Sequence, residues 1–156
     1  MMLMNSLDRR FIIGEQVTGA LPLKKANVTP LSMGYLVCAP GGVVGEVGNA
    51  DLFGPDDVDK IREYATCAEY FGFDLLYLEA GSGANTPVPP ILIQAARESC
   101  NLTLIVGGGI RDGQTARQAV QAGADWVVTG NLTEQFDDPD ELQLILSEFI
   151  TNMRST

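Results

Sequence analysis

At 156 residues, 46% of them apolar, the chain is long enough for one domain with a real core, which excludes a disordered or collagen-like polypeptide. A formal net charge of −10, with only ten scattered Lys and Arg residues, excludes non-specific nucleic-acid binding. The chain has no histidine, so any general acid or base is a carboxylate, tyrosine, lysine or cysteine, and any metal takes oxygen ligands, which favours Mg²⁺.

Met1-Met2-Leu3-Met4 reads as a first strand, over residues 1–4, and breaks at once into Asn5-Ser6-Leu7-Asp8-Arg9-Arg10. This is neither a signal peptide nor a membrane span, because the longest apolar stretches are strand-sized and well short of the ~20 residues a spanning helix needs. Asp8 is placed to cap a helix carrying Phe11, Ile12, Ile13 and Val17, against which Gly14 and Gly19 count. The Asn5-Ser6 turn reads either as a polar contribution to a site or as part of that cap. A second strand, residues 34–39, runs into the glycine-rich segment Ala39 to Gly48. Such a segment reads as a flexible wall or lid over a ligand, or as an irregular surface connection.

Pro55 suits the first turn of a helix from Asp56 to Phe71, in which Val58, Ile61, Tyr64, Ala65 and Ala68 recur at helical spacing and Gly72 marks the end. A third strand occupies 74–79. Pro89 or Pro90 opens the next helix, which runs to about Cys100 with Ile91, Leu92, Ala95 and Ala96 facing inward. After a fourth strand at 102–106, Asp112 caps a helix with the small-residue face Ala116, Ala119, Val120 and Ala122, closed by Gly123. A fifth strand at 125–129 precedes a terminal helix after Pro139, with Leu142, Leu144, Ile145, Phe149 and Ile150 as its apolar side. Cys38, Cys67 and Cys100 lie far apart without CxxC spacing, which argues against a disulfide or metal framework and fits a reducing cytoplasm.

Strands alternating with helices predict an α/β fold of five parallel strand–helix units. A complete TIM-type (β/α)8 barrel has eight such units over ~250 residues. The sequence therefore predicts either an open sheet or the carboxyl-terminal part of a barrel. A strand-like run at residue 1 favours the second, a single domain over residues 1–156 truncated on its amino-terminal side. An unpaired sheet edge favours self-association into a homo-oligomer.

The runs Leu102–Val106 and Asp125–Thr129 stop in Gly107-Gly108-Gly109 and Gly130-Asn131. Glycines at the carboxyl ends of adjacent parallel strands let the backbone approach an anion, and a barrel commonly binds phosphate after its seventh and eighth strands. In so acidic a chain the anion must be held by local backbone dipoles, an arginine or a metal. Arg111 is the local candidate, with an exposed helix-start arginine as its alternative reading. Period-two alternation puts Tyr77 and Glu79 on one strand face, opposite Leu76 and Leu78. A carboxylate facing a barrel lumen is costly unless it is paired or meets a ligand, so Glu79 reads as functional, the alternative being a side chain turned outward at the strand end. Ala80-Gly81-Ser82-Gly83 then forms a turn carrying a hydroxyl, and Tyr35 stands on the preceding strand.

Tyr77-Leu78-Glu79-Ala80-Gly81-Ser82-Gly83, Ile105-Val106-Gly107-Gly108-Gly109-Ile110-Arg111 and Ala122 to Asn131 together resemble geranylgeranylglyceryl phosphate synthase, including the related heptaprenylglyceryl phosphate synthases. Leu3-Met4-Asn5-Ser6 is similar to that family's fourth-strand ending, and Gly34-Tyr35-Leu36-Val37 with Pro40-Gly41-Gly42 to its fifth. The resemblance implies a partial TIM barrel corresponding to strands 4–8. It also implies a prenyltransferase of ether-lipid biosynthesis that joins a prenyl diphosphate, geranylgeranyl diphosphate, to the 3-hydroxyl of sn-glycerol 1-phosphate and releases pyrophosphate, with Mg²⁺ as cofactor. By the same resemblance Tyr77, Leu78, Glu79, Ala80, Gly81, Ser82 and Gly83 bind glycerol phosphate, with Glu79 accepting the hydroxyl proton or orienting that hydroxyl. Gly108, Gly109, Gly130 and Asn131 hold the phosphate. The family's Mg²⁺-binding aspartate lies on a first strand with no counterpart here, so the expectation is a glycerol-phosphate half-site without the diphosphate half-site and without a metal ligand. A non-catalytic phosphate-binding half-barrel and another phosphosugar-type barrel enzyme are the alternatives.

Overall fold

The computed structural model describes residues 1–134 and 138–154. Five strands, β1 (Met2–Leu3), β2 (Met33–Val37), β3 (Leu75–Glu79), β4 (Thr103–Gly107) and β5 (Trp126–Val128), form one sheet in chain order. All neighbouring pairs are parallel. A doubly wound open sheet reverses its strand order at a switch point, whereas this one steps steadily in one direction, as a (β/α) barrel does. The helices are α1 (Glu15–Lys25), α2 (Gly42–Val47), α3 (Val58–Tyr70), α4 (Pro90–Ser99), α5 (Gly113–Gln121), α6 (Asn131–Glu134) and α7 (Pro139–Arg154). Each predicted strand is found within one or two residues of its expected bounds. The outer edges of β1 and β5 carry no strand partner among the described residues, and no helix there is long and apolar enough to cross a membrane.

The two faces of the sheet are apolar in different ways. Leu36, Leu76, Leu78, Leu104 and Val106 are sealed on the helix side against Ile61, Ala65 and Ala68 of α3, Leu92, Ile93, Ala95 and Ala96 of α4, and Ala116 and Ala119 of α5. The alanines let helix backbones come close to the sheet, and each fully buried leucine contributes about 1.5–3 kcal/mol. The inner face carries a smaller cluster around Leu3, Tyr35 and Val37, with Tyr77, Phe11 and Val44 packed on it. Period-two alternation along β3 thus sends Leu76 and Leu78 to the helices and Tyr77 and Glu79 inward, as expected.

Local chemistry sets the helix ends. The Asp112 carboxylate accepts the Thr115 N–H at 2.7 Å and caps α5, and Pro90 opens α4. Pro55 falls in the turn before α3 instead of its first turn, because Asp57 is the N-cap and its Oδ2 accepts the Gly54 N–H at 2.7 Å. Ile91 is exposed and Ile93 takes the inner place, since the buried stripe of α4 follows Leu92, Ile93, Ala95 and Ala96. Val120 is likewise exposed, the packed face of α5 being Gly113, Ala116 and Ala119. On α7 Phe149 is buried whereas Leu144 and Ile150 face outward. The helix after Asp8 begins as a π-helical turn at Arg10–Gly14, and α1 buries none of its residues.

The glycine-rich segment after β2 takes the place of a wall beside Glu79, as expected, and is not an irregular connection. It contains α2 and is tied down by the Asn5-Ser6 turn. Asn5 Nδ2 donates to the Val37 and Asp51 carbonyls, both at 2.9 Å, and its Oδ1 accepts the Val37 N–H at 3.1 Å. The Ser6 hydroxyl donates to the Gly48 carbonyl at 2.6 Å. Asn5 and Ser6 are buried struts that hold this segment to β1 and β2.

Candidate functional site

Parallel register stacks the inward side chains in rows across the sheet. One row runs Leu3, Tyr35, Tyr77, Ile105, Trp126, and the next, nearer the carboxyl ends, runs Val37, Glu79, Gly107, Val128. Glu79 is the only charged member of these rows. Its side chain is buried, with the residue 7% exposed, and its Oε1 accepts the Gly81 N–H at 2.6 Å. The turn after β3 therefore folds back on the carboxylate it carries.

Tyr35 and Tyr77 stand beside Glu79 with their rings edge to face, centroids 4.9 Å apart. Burial, and then the negative charge of Glu79, pushes both phenols well above their ordinary value, so they remain protonated donors at neutral pH. Cys38 lies behind the carboxylate, and burial followed by the same charge pushes its thiol up to about 12.

Two glycines make the close approaches that this geometry requires. Gly108, at φ +84°, leaves no room for a Cβ, which would lie 2.5 Å from Glu79 Oε1 and 2.7 Å from the Gly81 nitrogen. Gly81, at φ +103°, presses against the Gly41 backbone, where a Cβ would meet the carbonyl carbon at 2.7 Å. The turns after β2, β3 and β4 thus touch backbone to backbone.

Two cavities open from Glu79. A polar one of about 220 Å³ is lined by Tyr77, Glu79, Ser82 and Gly83 of the β3 ending, Gly108 through Arg111 of the β4 ending, and Val128 through Gly130 of the β5 ending. A larger one of about 720 Å³ is lined by Leu3, Phe11, Tyr35, Val43, Val44 and Val47, among others, and also reaches Glu79 and Ser82. Thr129 Oγ1 donates to the Ile110 carbonyl at 2.9 Å and joins the β4 and β5 endings. Arg111 Nη2 donates to the Gly83 and Ala84 carbonyls at 3.0 and 3.1 Å and joins the β3 and β4 endings.

Of the residues that the sequence singled out, Tyr77, Glu79, Ser82, Gly83, Gly108, Gly109 and Gly130 meet at the polar cavity. Leu78 points the other way into the helix-side core, and Ala80 is fully buried, its N–H donating to the Gly107 carbonyl at 3.0 Å. Asn131 opens α6, and its side chain lies outside the described residues. Thr129 was not anticipated, although its place next to Gly130 at a strand end was a usable signal. The segment after β2 walls the larger cavity, as its wall-or-lid reading expected, but the helix α2 within it escaped because its glycines suppress helix propensity.

No group of three or more His, Cys, Asp or Glu side chains among the described residues is arranged to hold a metal ion. Glu79 is the single carboxylate lining the polar cavity. The Mg²⁺ that the resemblance implies thus finds no ligand set in these residues, and no step below is routed through it.

The chain is 45% identical to geranylgeranylglyceryl phosphate synthase of Methanosarcina acetivorans over 139 residues, 88% of this chain and 56% of that protein. It is 43% identical to the protein of the same name from Thermococcus gammatolerans over 155 residues, 99% of this chain and 61% of that protein. It thus spans little more than half the length of the curated relatives it matches. The crystal structure of (S)-3-O-geranylgeranylglyceryl phosphate synthase from Thermoplasma acidophilum in complex with sn-glycerol-1-phosphate superposes with a TM-score of 0.92 at 36% identity, covering 100% of this chain and 62% of that one. A profile described as the PcrB family matches residues 1–148, and with it the chain belongs to the PcrB family.

Proposed function

We propose that the polar cavity binds sn-glycerol 1-phosphate and that Glu79 presents its 3-hydroxyl to a prenyl diphosphate whose hydrocarbon tail occupies the larger apolar cavity. The observation that carries this reading is the position of Glu79 and Ser82, which line both cavities at once. A phosphate seated on the turns at Gly108, Gly109 and Gly130 is met by backbone N–H groups at glycines that let it come close. The glycerol chain then extends toward Glu79, with the Tyr77 hydroxyl as a donor to its oxygens.

The reaction forms one bond and breaks one. The glycerol oxygen attacks C1 of the allylic diphosphate, the C–O bond to the leaving group breaks with its electron pair departing on pyrophosphate, and the hydroxyl proton passes to the Glu79 carboxylate. An alcohol is a weak nucleophile, and a positioned base contributes typically about 10²–10⁴-fold to such a step. Glu79 is pre-oriented for it by the Gly81 N–H, which fixes Oε1, and by the Tyr35 and Tyr77 hydroxyls beside the carboxylate. Burial excludes competing water. The product would be the first ether bond of an archaeal-type membrane lipid.

The reading is tested by titrating the chain calorimetrically with sn-glycerol 1-phosphate and with glycerol, then adding geranylgeranyl diphosphate and following ether product. Heat with the phosphate ester and none with glycerol supports the binding half of the proposal. No heat with sn-glycerol 1-phosphate rejects it. Binding without product supports the glycerol-phosphate half of the proposal alone, the outcome expected of a chain that spans little more than half the length of its relatives.

A further inference from the structure

The reading above puts a phosphate into a cavity that already holds a buried carboxylate, inside a chain of net charge −10. Across so small a volume Glu79 repels the ligand that the glycine turns attract. A cation at the cavity wall offsets that repulsion, and among the described residues the one cation lining the polar cavity is Arg111. It closes the run Ile105 to Arg111, one of the three that carry the resemblance, but it is not among the residues to which that resemblance gives the glycerol phosphate.

Arg111 is surface-exposed yet anchored. Its Nη2 donates to the Gly83 and Ala84 carbonyls, which holds the guanidinium across the mouth of the turn after β3. A guanidinium carries five N–H donors, and Arg111 makes no other hydrogen bond and no ion pair among the described residues. Its Nε and Nη1 protons therefore have no protein acceptor, while the charge stays fixed at the cavity wall. Other arginines of the chain are spent on carboxylates: Arg62 pairs with Asp59 and Glu98, and Arg97 pairs with Asp125.

We infer that Arg111 reads the charge of the ligand, its free guanidinium donors meeting phosphoryl oxygens seated on the glycine turns while Nη2 keeps the Gly83–Ala84 carbonyls in place. The inference rests on the glycerol-phosphate reading and adds to it the residue that selects a phosphorylated over an unphosphorylated polyol. Charge-assisted hydrogen bonds to phosphate are about twice as strong as neutral ones, and a planar guanidinium suits them better than an ammonium.

The test is a calorimetric titration of the whole chain and of Arg111→Gln and Arg111→Lys with sn-glycerol 1-phosphate, at low and high ionic strength. The wild-type chain binds, Arg111→Gln loses about ten- to a hundredfold in affinity, and Arg111→Lys recovers part of the loss. The affinity of Arg111→Gln also depends less on salt, a change that a purely structural strut would not produce. If the wild-type chain binds and Arg111→Gln binds within about twofold with the same salt dependence, the inference falls and the glycerol-phosphate reading stands. If the wild-type chain does not bind, the reading falls and takes the inference with it. Should circular dichroism show that Arg111→Gln has lost its fold, the wild-type salt dependence decides, and an affinity unchanged by salt overturns the inference.

Discussion

A methyl group on Gly108 would lie 2.5 Å from Oε1 of Glu79, closer than non-bonded atoms approach. The turn that ends β4 and the carboxylate that ends β3 are thus shaped to each other, and a side chain at 108 displaces the acid. Gly108→Ala also forces a non-glycine residue to φ +84°, at about 1–2 kcal/mol. The expected result is a melting temperature lower by about 2–8 °C together with loss of sn-glycerol 1-phosphate binding. Gly72→Ala is the control. Gly72 has φ +72° with nothing within 4 Å of its Cβ position, so it carries the same backbone strain and leaves binding intact. Thermal melting and calorimetry on the two variants separate strain from site damage.

Glu79→Gln keeps an amide oxygen for the Gly81 N–H and removes the proton acceptor. In a completed barrel that supplies the diphosphate half-site, ether-product formation falls by about 10²-fold or more, while the melting temperature changes little. Affinity for sn-glycerol 1-phosphate is held or rises, because a negative charge beside the phosphate has gone. Steady-state kinetics read this as a fall in kcat without a rise in KM. Equal losses of stability and rate would instead make Glu79 a structural residue.

Asn5→Ala removes a buried amide that serves the Val37 N–H and the Asp51 carbonyl. Three backbone groups lose Asn5; the Val37 carbonyl keeps the Phe53 N–H at 3.1 Å, and the other two bear the loss. At about 1–3 kcal/mol each, the cost is about 2–6 kcal/mol. Urea unfolding measures it, and hydrogen exchange is expected to rise first in α2, which Asn5 and Ser6 hold down.

The alkaline limb of stability has a sign set by Cys38. The unfolded chain releases this thiol proton near 9.0 and the folded chain near about 12. Between those values the folded state binds more protons, so its stability is full below about pH 9 and declines as pH climbs toward about 12. Tyr35 and Tyr77, both raised from 10.0, act in the same direction. Melting temperature against pH checks this, and Cys38→Ser flattens part of the decline.

Thiol labelling gives an independent check on burial. Cys38 and Cys100 are buried and Cys67 is half-exposed. At neutral pH a maleimide therefore takes one equivalent rapidly from the native chain and three after denaturation.

Much of this architecture is legible in the chain because period two and local capping act over a few residues. Leu76 and Leu78 against Tyr77 and Glu79 follow from alternation alone, and Asp112 follows from its place before a small-residue helix. What escapes is decided by neighbours distant in sequence. Ile93 displaces Ile91 from the core because α4 meets α3 and the sheet at a phase that its own sequence does not specify. The segment after β2 looks flexible because it is rich in glycine. Yet Gly45 is small for packing: a Cβ there would lie 3.0 Å from a Leu52 methyl carbon. Glu79 and the glycine turns were visible separately, but their common cavity depends on the strand register.

The backbone contact between Gly81 and Gly41 joins the walls of the two cavities without an intervening side chain. Gly41 leads into α2, whose valines wall the apolar cavity, and Gly81 leads into Ser82 of the polar one. Neither glycine has a side chain whose rotamers absorb a displacement. Any change in affinity that a ligand in one cavity produces in the other would, by thermodynamic reciprocity, be returned by the same factor.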